Sequence, residues 1–165
     1  LKESPFTTDE EKVHYGHLHR LCSYNRIGTP AADFKYTLKK GSTSTLYQIK
    51  AEYVLLFFSN PECQTCKEIV DALANLPEIL QLIDQKRLTV LNIYPDAELD
   101  EWYEYLPHYP ETWINGYDQD LVLNMQTIYN IRAIPSLYLL DKEKKVIFKD
   151  APPEKIISRL VRIAG

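Results

Sequence analysis

Two cysteines three positions apart, Cys63 and Cys66, are the residues of this sequence best suited to chemistry. They follow an apolar run at 53–58 that predicts a buried strand, and the apolar positions after them fall at helical spacing. Cys63 would lie at the helix N-terminus, where unpaired N–H groups and the helix dipole favour a thiolate. The pattern predicts a redox-active dithiol, with Cys63 as the exposed attacking thiol and Cys66, one turn into the helix, as the shielded resolving thiol.

A proline at the entrance of an apolar run is the second informative feature. Pro135 follows Ile134 and directly precedes the run at 136–140. Proline cannot donate to a sheet ladder, so it is tolerated at the first residue of a strand. A cis bond would turn the chain sharply into that strand, and we expect the Ile134–Pro135 bond to be cis. The alternative is a proline that only begins the strand.

The order of the C-x-x-C and the distant Ile-Arg-Ala-Ile-Pro at 131–135 resembles the thioredoxin superfamily. The segments 28–34 and 46–49 are similar to the TlpA/ResA-like extracytoplasmic branch, and the resemblance covers residues 28–164. It implies that the proline loop faces the dithiol and that Ile134 offers its backbone to an extended substrate. Glu62, Gln64 and Thr65 would be further substrate contacts around the attacking thiol.

The predicted elements give an α/β, three-layer thioredoxin-like fold with a central mixed sheet and helices on both faces. A strand–helix–strand unit at 53–94 predicts a parallel pair. Capping-box spacing at Thr8 and Glu11 predicts a helix over 9–24, within an N-terminal extension (1–27) that precedes the thioredoxin-like domain (28–165). We expect strands at 34–38, 53–58, 88–94, 136–140 and 145–149, a turn at 40–44, and helices at 63–75, 77–85, 121–128 and 153–163.

An aromatic-rich insertion at 95–118, with a short helix over 98–105, is open to two interpretations. Its aromatic residues could form a satellite core that covers one sheet edge. Alternatively they could form an exposed platform that selects protein partners, since aromatic residues are enriched at interaction hot spots. The residues concerned are Trp102, Tyr103, Tyr105, Tyr109, Trp113 and Tyr117.

Composition restricts the classes of partner. A net charge of −4 with no basic stripe argues against nucleic-acid binding, and no apolar stretch reaches the length needed to span a bilayer. Three cysteines indicate one pair and one spare, Cys22, which we expect to be a small buried residue. Leu1 is not a natural start, so we expect a processed or truncated chain. The resemblance implies an extracytoplasmic, periplasm-facing protein whose precursor carries a secretory or lipoprotein signal, compatible with a lipid anchor.

Metal binding is the main chemical alternative. A structural zinc site needs four ligands, usually from two such cysteine pairs, and the sequence has no second C-x-x-C. His14, His17, His19 and Cys22 are close in sequence but spread over more than half of a helix circumference, so they cannot all converge on one ion. His108 lies between two prolines and is typical of a loop. We therefore expect no metal and no cofactor in this domain.

Departures from the thioredoxin pattern bear on mechanism. Thioredoxins carry a tryptophan directly before the first cysteine and a buried acid six positions before it, where this chain has Glu62 and Phe57. Another group, or water, must then assist deprotonation of Cys66. A peroxiredoxin is excluded by Asn60, since the pattern needs threonine there. Glu62 disfavours a second negative charge at Cys63 and opposes the helix dipole, which predicts a reducing to intermediate potential.

The sequence thus predicts a thiol–disulfide oxidoreductase that reduces or isomerises protein disulfides and is regenerated by an upstream thiol reductant. Two alternatives stay open. One is a thioredoxin-like binding module whose dithiol is incidental, and the other is a copper or zinc carrier that uses the C-x-x-C with a histidine.

Overall fold

One mixed β-sheet organises the chain. The computed structural model describes residues 27–95, 98–118, 134–149 and 151–164. Within these ranges seven strands are hydrogen-bonded in the order β2-β1-β5-β4-β3-β6-β7. The strands are β1 (Lys35–Leu38), β2 (Thr43–Thr45), β3 (Tyr53–Phe58), β4 (Leu88–Tyr94), β5 (Ile114–Tyr117), β6 (Ser136–Leu140) and β7 (Val146–Lys149).

Four α-helices accompany the sheet in the described part of the chain: α1 (Gln64–Asn75), α2 (Pro77–Asp84), α3 (Leu99–Tyr105) and α4 (Pro153–Ala164). Short 3-10 helices span Leu46–Gln48 and Leu106–His108. Pro77 is at the start of α2, where its missing N–H would have no helical partner in any case. Helices α1 and α2 connect β3 to β4, which pair in parallel as the sequence predicts, and β3 also pairs antiparallel with β6.

The central strand β3 divides the core into two clusters because successive side chains of a strand point to opposite faces. Leu55 and Phe57 pack with the buried faces of α1, α2 and α4. Val54, Leu56 and Phe58 pack in the second cluster, with residues of the 31–49 segment. All five side chains are buried. This two-sided burial fixes β3 in the sheet, and with it the position of the loop that follows its carboxyl end.

Two sequence predictions are corrected by the sheet. The segment 40–44 was predicted to be only a turn, but its last two residues belong to β2, which pairs antiparallel with β1. The segment 95–118 was predicted to be an insertion with one short helix and no strand, but its end forms β5, which lies between β4 and β1. The other strands and helices in the described ranges match their predicted positions to within about two residues. The predicted helices at 9–24 and 121–128, and Cys22, lie outside the described residues.

The aromatic residues of 95–118 are mostly core residues. Trp102 is 1% exposed and forms a small cluster with Tyr94 and Tyr117, whose ring centroid lies 5.0 Å from that of Trp102. Tyr109 and Trp113 are buried in the main cluster beside α1. Tyr103, by contrast, is 38% exposed. A buried core therefore describes these aromatic residues better than an exposed platform does, but the segment does not cover a sheet edge, because β5 lies inside the sheet.

Replacement of Trp102 by alanine should destabilise the fold by about 3–5 kcal/mol, because it removes a large buried ring and leaves a cavity. The matched control is Tyr103→Ala, on the same helix, whose partly exposed ring should cost clearly less. Urea unfolding of the two variants measures both values. Equal losses of unfolding free energy would contradict the assignment of Trp102 as the anchor of this cluster.

Candidate active site

Cys63 lies where β3 has ended and α1 begins. The backbone N–H of Cys63 donates to the Asn60 carbonyl at 3.0 Å, which closes a turn between strand and helix. Cys63 is the N-cap of α1, and its sulfur accepts the backbone N–H of Cys66 at 3.1 Å. A sulfur that accepts an N–H at a helix N-terminus is suited to carry negative charge. Cys63 is partly exposed, so this sulfur can meet a partner.

Cys66 is in the first turn of α1 and is 2% exposed. Burial raises the pKa of its thiol to about 12, and a hydrogen bond with Cys63 acts in the same direction. A hydrogen bond from the Asn60 backbone lowers this pKa, but by less. Cys66 therefore holds its proton at neutral pH in the reduced protein, and it must lose that proton before it can attack a sulfur.

The proline loop and the dithiol meet although they are far apart in sequence. The Ile134–Pro135 bond is cis. The Cys63 sulfur lies 3.8 Å from the Ile134 carbonyl oxygen, within reach of a weak S–H hydrogen bond. Register explains the approach, since Ser136 of β6 is paired with Phe58, the last residue of β3. Strand pairing thus brings the loop before β6 to the end of β3 where the C-x-x-C begins.

The three other residues predicted around the dithiol, Glu62, Gln64 and Thr65, are exposed. Glu62 adds a carboxylate directly before Cys63 in the sequence. The nearby Glu62 carboxylate is the main cause that raises the pKa of Glu101, and burial, Glu98 and Glu104 act in the same direction. Helix α3 thus presents carboxylates beside the C-x-x-C. The Lys67 Nζ lies 5.5 Å from the ring centroid of Tyr105, the last residue of α3.

A buried polar network beside the dithiol was not predicted from sequence. Ser59 directly follows β3, and its hydroxyl bonds to Asn92 of β4 and lies 3.4 Å from the Tyr109 hydroxyl. Asn92 in turn bonds to Asn115 of β5. Ser59 and Asn92 are 1% and 2% exposed. The one available signal was Asn92, a polar residue in the apolar run of β4.

Within the described residues, no group of three or more histidine, cysteine, aspartate or glutamate side chains is arranged to hold a metal ion. His108 is exposed, with its ring 4.8 Å from that of Tyr105. The predicted histidine cluster, His14, His17 and His19, lies outside the described ranges. Across the part of the chain that the structure describes, no helix has the length and apolar character to cross a membrane.

The sheet order, the C-x-x-C at the strand-to-helix junction and the facing proline define a protein of the thioredoxin-like class. A thioredoxin-like family model matches residues 51–146, more than half of the chain. The chain therefore belongs to the thioredoxin-like family. No curated protein sequence is significantly similar to it.

Solved structures give the same assignment. A thioredoxin-like protein from Bacteroides caccae is 46% identical with a TM-score of 0.92, covering 96% of this chain and 57% of that one. This chain thus spans little more than half of that relative. The C-terminal domain of an uncharacterized protein from Bacteroides fragilis is 48% identical with a TM-score of 0.80, covering 82% of this chain and 97% of that one. A domain of a possible thiol-disulfide isomerase from Cytophaga hutchinsonii is 25% identical with a TM-score of 0.65, covering 86% and 95%.

Proposed function

We propose that this protein is a thiol–disulfide oxidoreductase that reduces or isomerises disulfides of protein substrates through Cys63 and Cys66. The observation that carries the proposal is the asymmetry of the pair. Cys63 is partly exposed at a helix N-terminus and faces the Ile134 carbonyl, whereas Cys66 is buried directly behind it. The thioredoxin-like family and the named Cytophaga hutchinsonii neighbour support the same activity.

The exchange proceeds in two steps in the reductase direction. The Cys63 thiolate attacks one sulfur of a substrate disulfide, the substrate S–S bond breaks, and the other substrate sulfur leaves as a thiolate. Cys66 then loses its proton and attacks the Cys63 sulfur. The mixed disulfide breaks, the second substrate sulfur leaves reduced, and a Cys63–Cys66 disulfide remains. Two electrons have passed to the substrate, and an upstream thiol reductant must return them.

Substrate binding would use the groups around Cys63. The backbone of Ile134, next to the cis bond to Pro135, is positioned to pair with an extended substrate segment. Glu62, Gln64 and Thr65 are exposed and are close to Cys63 in the sequence, and they would contact the residues that flank the substrate disulfide. The exposed carboxylates of α3 favour flanking residues that carry no negative charge.

Insulin reduction by dithiothreitol tests the activity. We expect the protein to accelerate precipitation of the insulin B chain, and a variant with both Cys63 and Cys66 replaced by serine to leave the rate at background. The same assay with stoichiometric copper or zinc separates the alternatives. Tight metal uptake without any insulin turnover would favour a metal carrier, and neither uptake nor turnover would favour a binding module.

We further propose an extracytoplasmic location, facing the periplasm, on the basis of the TlpA/ResA-like segments at 28–34 and 46–49. The full-length precursor is then expected to carry a secretory or lipoprotein signal. Fractionation of cells that express the precursor tests this. Recovery of the unprocessed protein in the cytosolic fraction would contradict it.

A further inference from the structure

The turn between β3 and α1 is built around one residue, Asn60. The Asn60 Oδ1 accepts the backbone N–H of Glu62 at 2.9 Å, the arrangement of an Asx turn. The Asn60 carbonyl oxygen accepts the N–H of Cys63 at 3.0 Å. Pro61, which precedes Glu62, is buried and has no N–H to donate. Both backbone donors of residues 61–63 are therefore held by Asn60.

The sheet fixes the start of this turn. The backbone N–H of Ser59 donates to the Ile93 carbonyl of β4 at 3.1 Å, and the Ser59 hydroxyl bonds to Asn92. Both Ser59 and Asn92 are buried. Asn60 thus follows directly on a fixed strand end, and its own hydrogen bonds determine the path of the chain from there to the helix.

The geometry of the turn sets the position of the Cys63 sulfur. The Cys63 backbone is held on both sides, since its N–H donates to Asn60 and its carbonyl accepts the N–H of Lys67 at 3.2 Å. In this position the sulfur accepts the N–H of Cys66 at 3.1 Å and lies 3.8 Å from the Ile134 carbonyl oxygen. A hydrogen bond weakens as donor and acceptor move out of line. A shift of the turn would therefore weaken the contact that stabilises negative charge on this sulfur.

Asn60 also reaches the second sulfur. Burial and the hydrogen bond with Cys63 raise the pKa of the Cys66 thiol, and a hydrogen bond with the Asn60 backbone is the largest of the causes that lower this pKa. A hydrogen bond that lowers the pKa of a thiol favours the thiolate, so the Asn60 N–H is the donor and the Cys66 sulfur is the acceptor. The backbone of one residue is thus bonded to both cysteines.

We propose that Asn60 is the positioning residue of the dithiol. Its side chain holds the turn in which the Asn60 carbonyl fixes Cys63 and the Asn60 N–H is directed at the Cys66 sulfur. The hydrogen bonds that this turn maintains favour the reduced pair over the disulfide, because charged acceptors such as a thiolate form stronger hydrogen bonds than neutral ones. Asn60 acts through the two cysteines and not on the substrate. This inference rests on the proposed oxidoreductase activity.

Asn60→Ala removes the side-chain acceptor and keeps the backbone groups. In glutathione buffers the equilibrium should shift toward the Cys63–Cys66 disulfide by about 2- to 10-fold, the effect of one lost hydrogen bond. Asn60→Ser offers a hydroxyl, which forms the same kind of turn more weakly, so its equilibrium should lie between those of the wild type and the alanine variant. A residue with only a structural role would change the free energy of unfolding but not this equilibrium.

Asn75→Ala is the matched control. Asn75 is an exposed asparagine at the last position of α1, and its side chain also bonds to the backbone, donating to the Asp71 carbonyl at 2.7 Å. Its replacement removes a comparable local bond at the opposite end of the helix, and the glutathione equilibrium should stay as in the wild type. Urea unfolding of the reduced proteins measures the stability that each variant loses.

A wild-type equilibrium in the Asn60→Ala protein would overturn the proposal, and so would an equal shift in the Asn75→Ala protein. If Asn60→Ala does not fold, Asn60→Ser decides the question. A wild-type glutathione equilibrium in the serine variant then overturns the role of Asn60.

An aromatic disulfide, 5,5′-dithiobis(2-nitrobenzoate), separates this inference from the proposed function. Attack by Cys63 releases a first equivalent of coloured thiolate, and attack by Cys66 releases a second. If the wild type releases only one equivalent, Cys66 does not resolve the mixed disulfide and the oxidoreductase proposal fails. If the wild type releases two equivalents and Asn60→Ala keeps the wild-type glutathione equilibrium, the oxidoreductase proposal stands and only the role of Asn60 is overturned.

Discussion

Cys63→Ser should abolish disulfide reduction, whereas Cys66→Ser should accumulate mixed disulfides with its substrates. The reason is positional. The Cys63 sulfur is partly exposed and accepts a helix N–H, while Cys66 is buried with its backbone N–H against the Cys63 sulfur. Without Cys66 the first step still occurs, and the covalent intermediate has no internal thiol to release it.

The trapping experiment is best made in a Cys22→Ser background, so that only the paired thiols remain. Non-reducing gels and mass spectrometry then count the adducts formed by each variant. Equal trapping by the two variants, or trapping by Cys63→Ser alone, would contradict the assignment of attacking and resolving thiols.

Alkylation of the reduced protein should be strongly selective for Cys63. With the pKa of Cys66 raised from 9.0 to about 12, its thiolate fraction near pH 8 falls from roughly one in ten to roughly one in ten thousand. Since the thiolate is the reactive form, Cys66 should react with iodoacetamide about a thousandfold more slowly than an unfolded cysteine. Peptide mapping by mass spectrometry measures the rates at both sites.

The raised pKa of Cys66 also predicts how the stability of the reduced protein depends on pH. The native Cys66 keeps its proton to higher pH than the unfolded chain does, so the unfolded state binds fewer protons in the window from about pH 9 to 12. The reduced protein should therefore lose stability as pH rises through that window.

The control for the alkylation experiment is the unfolded protein, since in denaturant Cys66 should react with iodoacetamide like an ordinary cysteine. Rapid alkylation of Cys66 in the native protein at pH 8 would contradict its burial.

The sequence was informative where a local pattern had a single structural solution. The apolar run of β3, the helical spacing after Cys66 and the proline before β6 each placed an element of the thioredoxin-like fold at its observed position. These are also the elements that carry the dithiol and its facing loop. Their register in the sheet then brings the Cys63 sulfur to the Ile134 carbonyl.

Strand β5 could not be predicted in the same way. It is short, and its residues Ile114, Asn115, Gly116 and Tyr117 do not alternate between apolar and polar. Gly116 is used because the neighbouring strand approaches closely. A Cβ at this position would lie 3.0 Å from the Tyr36 ring and 3.1 Å from the Thr37 carbonyl oxygen. That requirement arises from β1, which is distant in sequence, so no local pattern reveals it.

The polar network was hidden for a related reason. Ser59, Asn92, Tyr109 and Asn115 lie on four separate segments, and only the pairing of β3, β4 and β5 brings them together. The sequence did indicate that Phe57 replaces an acidic residue and that Cys66 needs another group or water to deprotonate it. That these four residues form one polar network is a property of the sheet and not of any one stretch of the chain.

Equilibration with glutathione tests the central claim, a Cys63–Cys66 pair that closes and opens reversibly. We expect one two-electron transition to the intramolecular disulfide, with a potential between about −270 and −180 mV, the range of reducing to intermediate dithiols. A potential of about −120 mV would instead indicate that the protein oxidises its substrates, because dedicated oxidases have such values. Absence of the intramolecular disulfide at every glutathione ratio would contradict the account as a whole.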